Sequence, residues 1–186
     1  MTDTTDVNAE GYGELGSDGQ RTVLSFTRRL PHAPSKVWRA LTEDEHLEAW
    51  FPTTIEGERA PGARLRFAHR EGVVGSFEGQ MLAFEPASLI EFLWGEDLRR
   101  LELRPDGEGS VLTLAHTFDE LGKAARDGAG WHACLDMLAY ELRGEAAPWS
   151  SSERWREVRG VYIGRFGPDA STVGPPKEWE REYGAA

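Results

Sequence analysis

Four side chains in this sequence are spaced so that they could do chemistry together. Leu65, Phe67 and His69 alternate along one strand-like run, Ile90, Phe92 and Trp94 along another, and Leu112, Leu114, His116 and Phe118 along a third. Two more alternating runs lie between them, Val73 to Ala83 and Leu101 to Arg104. Alternate strands of an antiparallel meander point the same way, so His69, Trp94 and His116 should reach one end of the inward face. Arg99 enters its run at that same end with inward parity. Two imidazoles can move protons near neutral pH, and a few polar groups converging on an apolar pocket is the usual form of a small-molecule site. The plain alternative leaves both histidines partly solvated at the sheet margin with no ligand. A two-histidine metal site needs a third ligand; Glu71 sits in a nearby turn, but no recognised ligand spacing is present and no metal is expected. The sequence has no nucleophile elbow, phosphate-cradling glycine loop or dinucleotide fingerprint, so no cofactor is expected either.

The elements that must hold these groups are legible in part. Thr22 to Leu30 is β-rich, with Leu24, Phe26 and Leu30 on one parity. Pro31 and Pro34 stop that strand. Ser35 is a candidate N-cap for a short helix with Val37, Trp38 and Leu41 on one stripe. Thr42 and Glu45 have capping-box spacing for a second, carrying Leu47, Trp50 and Phe51 and ended by Pro52. The meander begins at Ala63, turns at Glu71-Gly72 and Pro86, breaks at Gly95-Glu96-Asp97, and carries a hairpin signal at Asp106-Gly107. Gly75 and Gly79 fall on inward positions, where a bulge is the simplest reading. A polar Gly-rich loop is expected from Asp119 to Gly130. Trp131, Cys134, Leu135, Leu138 and Leu142 then recur at helical spacing up to Gly144, and His132 lies off that stripe, in solvent. This helix must bury its apolar face on the sheet. Cys134 reads as a small core residue, not a thiolate nucleophile.

Composition narrows the function classes. The formal net charge of −11 disfavours nucleic acid and anionic membrane surfaces, both of which need a basic face. A single cysteine excludes an intrachain disulfide, and no apolar run approaches the roughly 20 residues of a membrane span. With no secretory signal at the N-terminus, the expected location is the cytoplasm. Residues 1–20 are acidic without Lys or Arg and read as a disordered arm. Residues 21–147 read as one domain, and residues 148–186 as an extension with a helix from about Ser152 to Ile163 and a loose tail. In that helix Trp155, Val158 and Tyr162 should pack, leaving Arg154, Arg156, Arg159 and Arg165 solvated. Nothing in the sequence fixes an oligomeric state.

Several phrases carry a resemblance. Ala33-Pro34-Ser35-Lys36-Val37-Trp38-Arg39-Ala40-Leu41-Thr42 followed by Trp50-Phe51 resembles the opening of the START-like (SRPBCC) superfamily. Gly79 to Pro86, Phe92-Leu93-Trp94, Leu112 to His116 and Gly130 to Leu135 are similar to the sheet and last helix of its activator of heat-shock protein 90 ATPase homologue-like family. The resemblance spans about residues 21–144. It implies an α+β helix-grip fold: a curved antiparallel sheet wrapped around a long C-terminal helix, with two short helices after the first strand and a deep cavity between sheet and helix. On that fold, Phe67, His69, Phe77, Phe92, Trp94, Arg99, His116, Trp131, Leu135 and Leu138 are the expected ligand-binding residues.

The leading expectation is binding of an apolar or aromatic small molecule in that cavity, without catalysis. A co-chaperone-type module that binds a protein partner is the second reading. It ranks lower because the family's paired activator needs a separate N-terminal domain, and residues 1–20 are too short and polar to be one. The third is a polyketide-cyclase-like enzyme using His69, His116 or Arg99.

Overall fold

Apolar and polar residues alternate along eight runs, and in the computed structural model, which describes residues 11–70, 75–177 and 180, these runs form one antiparallel sheet. The strands are β1 (Glu14–Asp18), β2 (Arg21–Leu30), β3 (Thr53–Glu56), β4 (Arg64–His69), β5 (Phe77–Glu85), β6 (Leu89–Trp94), β7 (Asp97–Asp106) and β8 (Gly109–Phe118). They lie in the order β1-β2-β8-β7-β6-β5-β4-β3. Helices α1 (Pro34–Thr42) and α2 (Asp44–Trp50) follow β2, the long α3 (Ala124–Arg143) follows β8, and α4 (Ser151–Phe166) follows α3. The curved sheet grips α3 in the α+β helix-grip arrangement. One core joins Leu24, Phe26, Phe67, Phe92 and Leu114 of the sheet to Leu135, Leu138 and Leu142 of α3.

Several local expectations are corrected. Pro34 occupies the first turn of α1, where its missing N–H costs nothing, so Ala33 rather than Ser35 stands at the N-cap. The Thr42–Glu45 box does not form: the Thr42 hydroxyl donates back to the Trp38 carbonyl at 2.8 Å, and extended Glu43 caps α2. The bulge in β5 lies between Met81 and Ala83 and brings Phe84 opposite Ile90. Gly79 serves close strand approach instead, since a Cβ there would collide with the Leu93 carbonyl and the Phe67 ring. The turn expected at Glu71-Gly72, and Val73 with it, lie outside the described residues.

The largest corrections fall at the two ends. Structure begins before Arg21: Glu14–Asp18 pairs with β2, Leu15 opposite Leu24, where a disordered arm was expected. Residues 1–10 lie outside the described residues. The Gly-rich stretch from Asp119 is not a loop but a 3-10 turn, Leu121–Lys123, running into α3. Glycine is a poor helix former, but at Gly128 tertiary packing decides, because a Cβ there would stand 2.8 Å from the Tyr162 ring of α4.

Helix α4 starts at Ser150, whose hydroxyl and Glu153 form a reciprocal capping box. Val158 and Tyr162 are buried, and α4 covers the side of α3 that carries His132. His132 is therefore buried, not solvated. Its Nδ1 accepts from the Tyr162 hydroxyl at 2.9 Å and its Nε2 faces Asp136 at 3.2 Å. The Tyr162 oxygen also accepts from the Gly13 N–H at 2.8 Å, so one hydroxyl ties the N-terminal segment to both helices. Arg154 is not a free surface arginine either, since it donates to Asp136 at 2.8 Å.

Candidate functional site

A two-residue turn at Gly95-Glu96, with Gly95 at φ 62°, sets Trp94 opposite Asp97. The register then places Arg99 opposite Phe92 on one side and His116 on the other. Directly opposed residues project to the same face, so Arg99 and His116 point inward together. The Trp94 ring lies 6.4 Å from His69. His69, Trp94, Arg99 and His116 thus converge at one end of the inner face.

That end opens into a cleft of about 630 Å³. Its walls include Trp50 and Phe51 from the end of α2, Trp94, Trp131 and Met137 of α3, Trp155 of α4, and Pro175 and Pro176. His69 and Arg99 also border it, and Cys134 of α3 does too. The deep cavity expected between sheet and α3 is largely filled. Phe67 stacks on Phe77 and Phe92 at centroid distances of 5.3 and 5.6 Å, and a small void of about 20 Å³ lies between the sheet and helices α1 and α2, bordered by Leu41, Leu47, Met81 and Ile90. Leu135 and Leu138 are 2% and 1% exposed and pack in the core away from the cleft. Of the ten residues read from the sequence, His69, Trp94, Arg99 and Trp131 border the cleft, and Phe67, Phe77, Phe92, His116, Leu135 and Leu138 do not.

The base of the cleft is a charge cluster. Arg99 is 4% exposed and its guanidinium lies against the adjoining rings of Trp94 and Trp131, at 5.4 and 5.3 Å. Burial pushes its pKa down to about 10, against the raising effect of Asp127 and Asp97. Behind it, His116 is fully buried with Nε2 2.9 Å from Asp97. A carboxylate only accepts, so Nε2 carries the proton and Nδ1 is a bare acceptor with no partner, 3.9 Å from Asp127. Burial, then the Arg99 charge, push His116 down to about 4, so it is neutral at pH 7. Burial opposes ionisation of Asp97, but hydrogen bonds from His116 and from Lys123, whose Nζ is at 2.6 Å, hold it well below the usual carboxylate range.

This arrangement limits the chemistry. His116 does not border the cleft and is committed to Asp97. His69, its own pKa lowered by burial, also borders the cleft. Asp97, His116 and Asp127 bring ligand atoms within 4.8 Å of one another. A cation there would have to displace the Lys123 ammonium and face Arg99, so the donor set does not suit a metal ion. Glu43, Glu45 and His46 form a second such group on the surface, where Arg39 already pairs with both carboxylates. Glu71 lies outside the described residues.

Sequence reasoning missed Asp97, Lys123, Arg126, Asp127, Met137, Trp155, Pro175 and Pro176 as cleft residues. Asp97 was legible only as part of a turn, and the charged trio from Lys123 to Asp127 fell in a supposed loop. Trp155 and the two prolines belong to the extension, whose docking no local pattern reveals.

The fold and the cleft at the end of its sheet define a START-like (SRPBCC) helix-grip protein. Over residues 31–143 the chain matches the family described as activator of Hsp90 ATPase homolog 1-like protein, and it belongs to that family. Among solved structures it is similar to a conserved protein of unknown function, EF2215, from Enterococcus faecalis, with 18% identity over 82% of this chain and 89% of that one, at a TM-score of 0.68. It is also similar to CalU16 from Micromonospora echinospora, with 22% identity over 85% of this chain and 99% of that one, at a TM-score of 0.67. The protein encoded by gene BPP1335 from Bordetella parapertussis is 27% identical over 87% of this chain and 95% of that one, at a TM-score of 0.63. No curated protein matches the chain. Among the described residues no helix is long and apolar enough to cross a membrane.

Proposed function

We propose that this chain is a cytoplasmic small-molecule-binding protein, and that its ligand is an apolar or aromatic compound lodged in the cleft between α2, the β6–β7 hairpin, α3 and α4. The observation that carries this reading is a space of about 630 Å³ walled by Trp50, Phe51, Trp94, Trp131 and Trp155 with a buried arginine at its base. Such a volume falls within the roughly 300–1,000 Å³ of small-molecule sites, and aromatic walls with a few polar groups are their usual lining. START-like membership is compatible with this role but does not dictate it, because function lives in the site and not in the fold.

The two other readings have less behind them. A cyclase-like enzyme needs an acid or base free to act on a bound molecule; Asp97 borders the cleft but already accepts from His116 and Lys123, and His116 does not border it. A protein-binding module should present an apolar patch, whereas among the described residues the exposed large apolar ones, Leu82, Leu121, Val161 and Ile163, lie on three separate elements. Native mass spectrometry of freshly purified protein should show a retained small molecule. Calorimetric titration with naphthalene-sized aromatics should show saturable binding that weakens in Trp155→Ala. A protein that retains nothing and binds none of these compounds would end the proposal.

A further inference from the structure

The cleft sits on an acidic chain, yet among its lining residues the cations outnumber the carboxylates: Arg70, Arg99, Lys123 and Arg126 against Glu48, Asp97 and Asp127. Most of these cations are engaged. Lys123 donates to Asp97 at 2.6 Å, Arg126 to Asp127 at 2.7 Å, and Arg70 to the Phe51 carbonyl at 3.0 Å. Arg99 differs. Among the described residues its Nε has no hydrogen-bond partner, and its Nη1 lies 3.5 Å from the Leu98 carbonyl and 3.6 Å from Asp97. Asp97 comes no closer because its carboxylate already takes His116 and Lys123.

A buried guanidinium with open donors is costly unless something completes it. The N–H donors of a guanidinium lie in its plane, and Trp94 and Trp131 stand together beside it, so what completes Nε must come to an edge, as a planar acceptor does. Tetrahedral phosphate carries more charge and would sit against Asp97 and Asp127. A carboxylate supplies two coplanar oxygens and one negative charge, and an attached aromatic body would fill the space between Trp50, Trp131 and Trp155.

Resting on the ligand-binding reading above, we propose that the cleft takes aromatic carboxylic acids, with the carboxylate anchored on Arg99 and the ring system held by the tryptophans.

The test is calorimetric titration of the full chain at pH 7 with 2-naphthoate and with its neutral counterpart 2-naphthamide. A charge-assisted pair should give naphthoate a Kd lower by about tenfold or more, given the strength of such bonds relative to neutral ones. Arg99→Met should abolish that preference and Arg99→Lys, which keeps the charge and loses the fork, should restore only part of it. Equal affinity for acid and amide in the wild-type protein would overturn the carboxylate anchor and leave the aromatic cleft standing. Binding of neither would overturn both. An acid preference that survives in Arg99→Met would assign the anchor to another cation and overturn the role of Arg99. Should the Arg99 variants fail to fold, the acid-to-amide ratio in the wild-type protein decides.

Discussion

His116 shows how burial redirects a side chain whose type suggests acid–base chemistry. Its pKa lies near 4 in the folded chain against an ordinary 6.5, so between those values the unfolded chain holds a proton that the native state refuses. Stability should therefore be fully present above about pH 6.5 and fall, by up to about 1.4 kcal/mol per pH unit, as pH drops toward 4. His69 and His32 are lowered in the same direction, so the contribution of His116 is read by difference. Urea unfolding of His116→Gln and wild type across pH 4 to 7 should show a flatter pH dependence for the variant. Equal slopes would mean that His116 does not stay neutral when buried. Leu135 and Leu138 make the complementary case, since both pack in the core with no share in the cleft. Each Leu→Ala change should cost about 2–5 kcal/mol and leave ligand affinity unchanged. A change in affinity with little loss of stability would put these side chains in the cavity wall.

At the scale of elements, the contact between α3 and α4 depends on one missing side chain and one hydroxyl. Gly128 has no room for a Cβ beside Tyr162, whereas Gly160 on α4 faces open space. Gly128→Leu should destabilise by about 1–3 kcal/mol through overpacking. Gly160→Ala should stabilise by about 0.5–1 kcal/mol through backbone entropy. Denaturation midpoints of the pair check the packing, and a neutral Gly128→Leu would show that α4 docks elsewhere. Tyr162→Phe keeps the ring but strands the Gly13 N–H and the His132 Nδ1, at a cost of about 1–3 kcal/mol. Hydrogen exchange should then quicken at the Gly13 amide, and unchanged protection there would rule out the clasp.

At the scale of the whole molecule, the family match ends at residue 143, yet the chain beyond it builds part of the cleft. Trp155, Ser151, Ser152, Pro175 and Pro176 close one side, and Val158 and Tyr162 cover α3. Deleting the chain after Pro148 should lower the melting temperature by several degrees or more, because it bares the His132 face of α3. It should also weaken binding of aromatic probes, because one wall is gone. A truncated chain that melts and binds like the full one would show the extension to be an appendage. The charge of the molecule acts on the same scale. At −11 the chain repels anions at long range, so if the cleft takes a carboxylate as proposed, added salt should modestly raise the association rate of that ligand.

What the sequence determined by itself was most of the sheet, β2 and β4 to β8, and the direction of its side chains; β1 and the short β3 were not legible. Period-two alternation fixes which residues share a face, so the inward convergence of His69, Trp94, Arg99 and His116 followed from counting along the meander. Helical spacing and Gly144 likewise fixed the core stripe and the end of α3. Only the tertiary structure decided where the open space lies. Whether Phe67 and Phe92 line a cavity or fill it depends on how far α3 stands from the sheet, and no local pattern encodes a distance between layers. The structure also decided that β1 pairs with β2, that Gly128 belongs to a helix, and that α4 brings Trp155 to the cleft. The first is a local hairpin, Asp18 opposite Arg21, in a stretch too short and polar to announce a strand, whereas the other two are set by contacts between segments well separated in the chain, which no local pattern reveals.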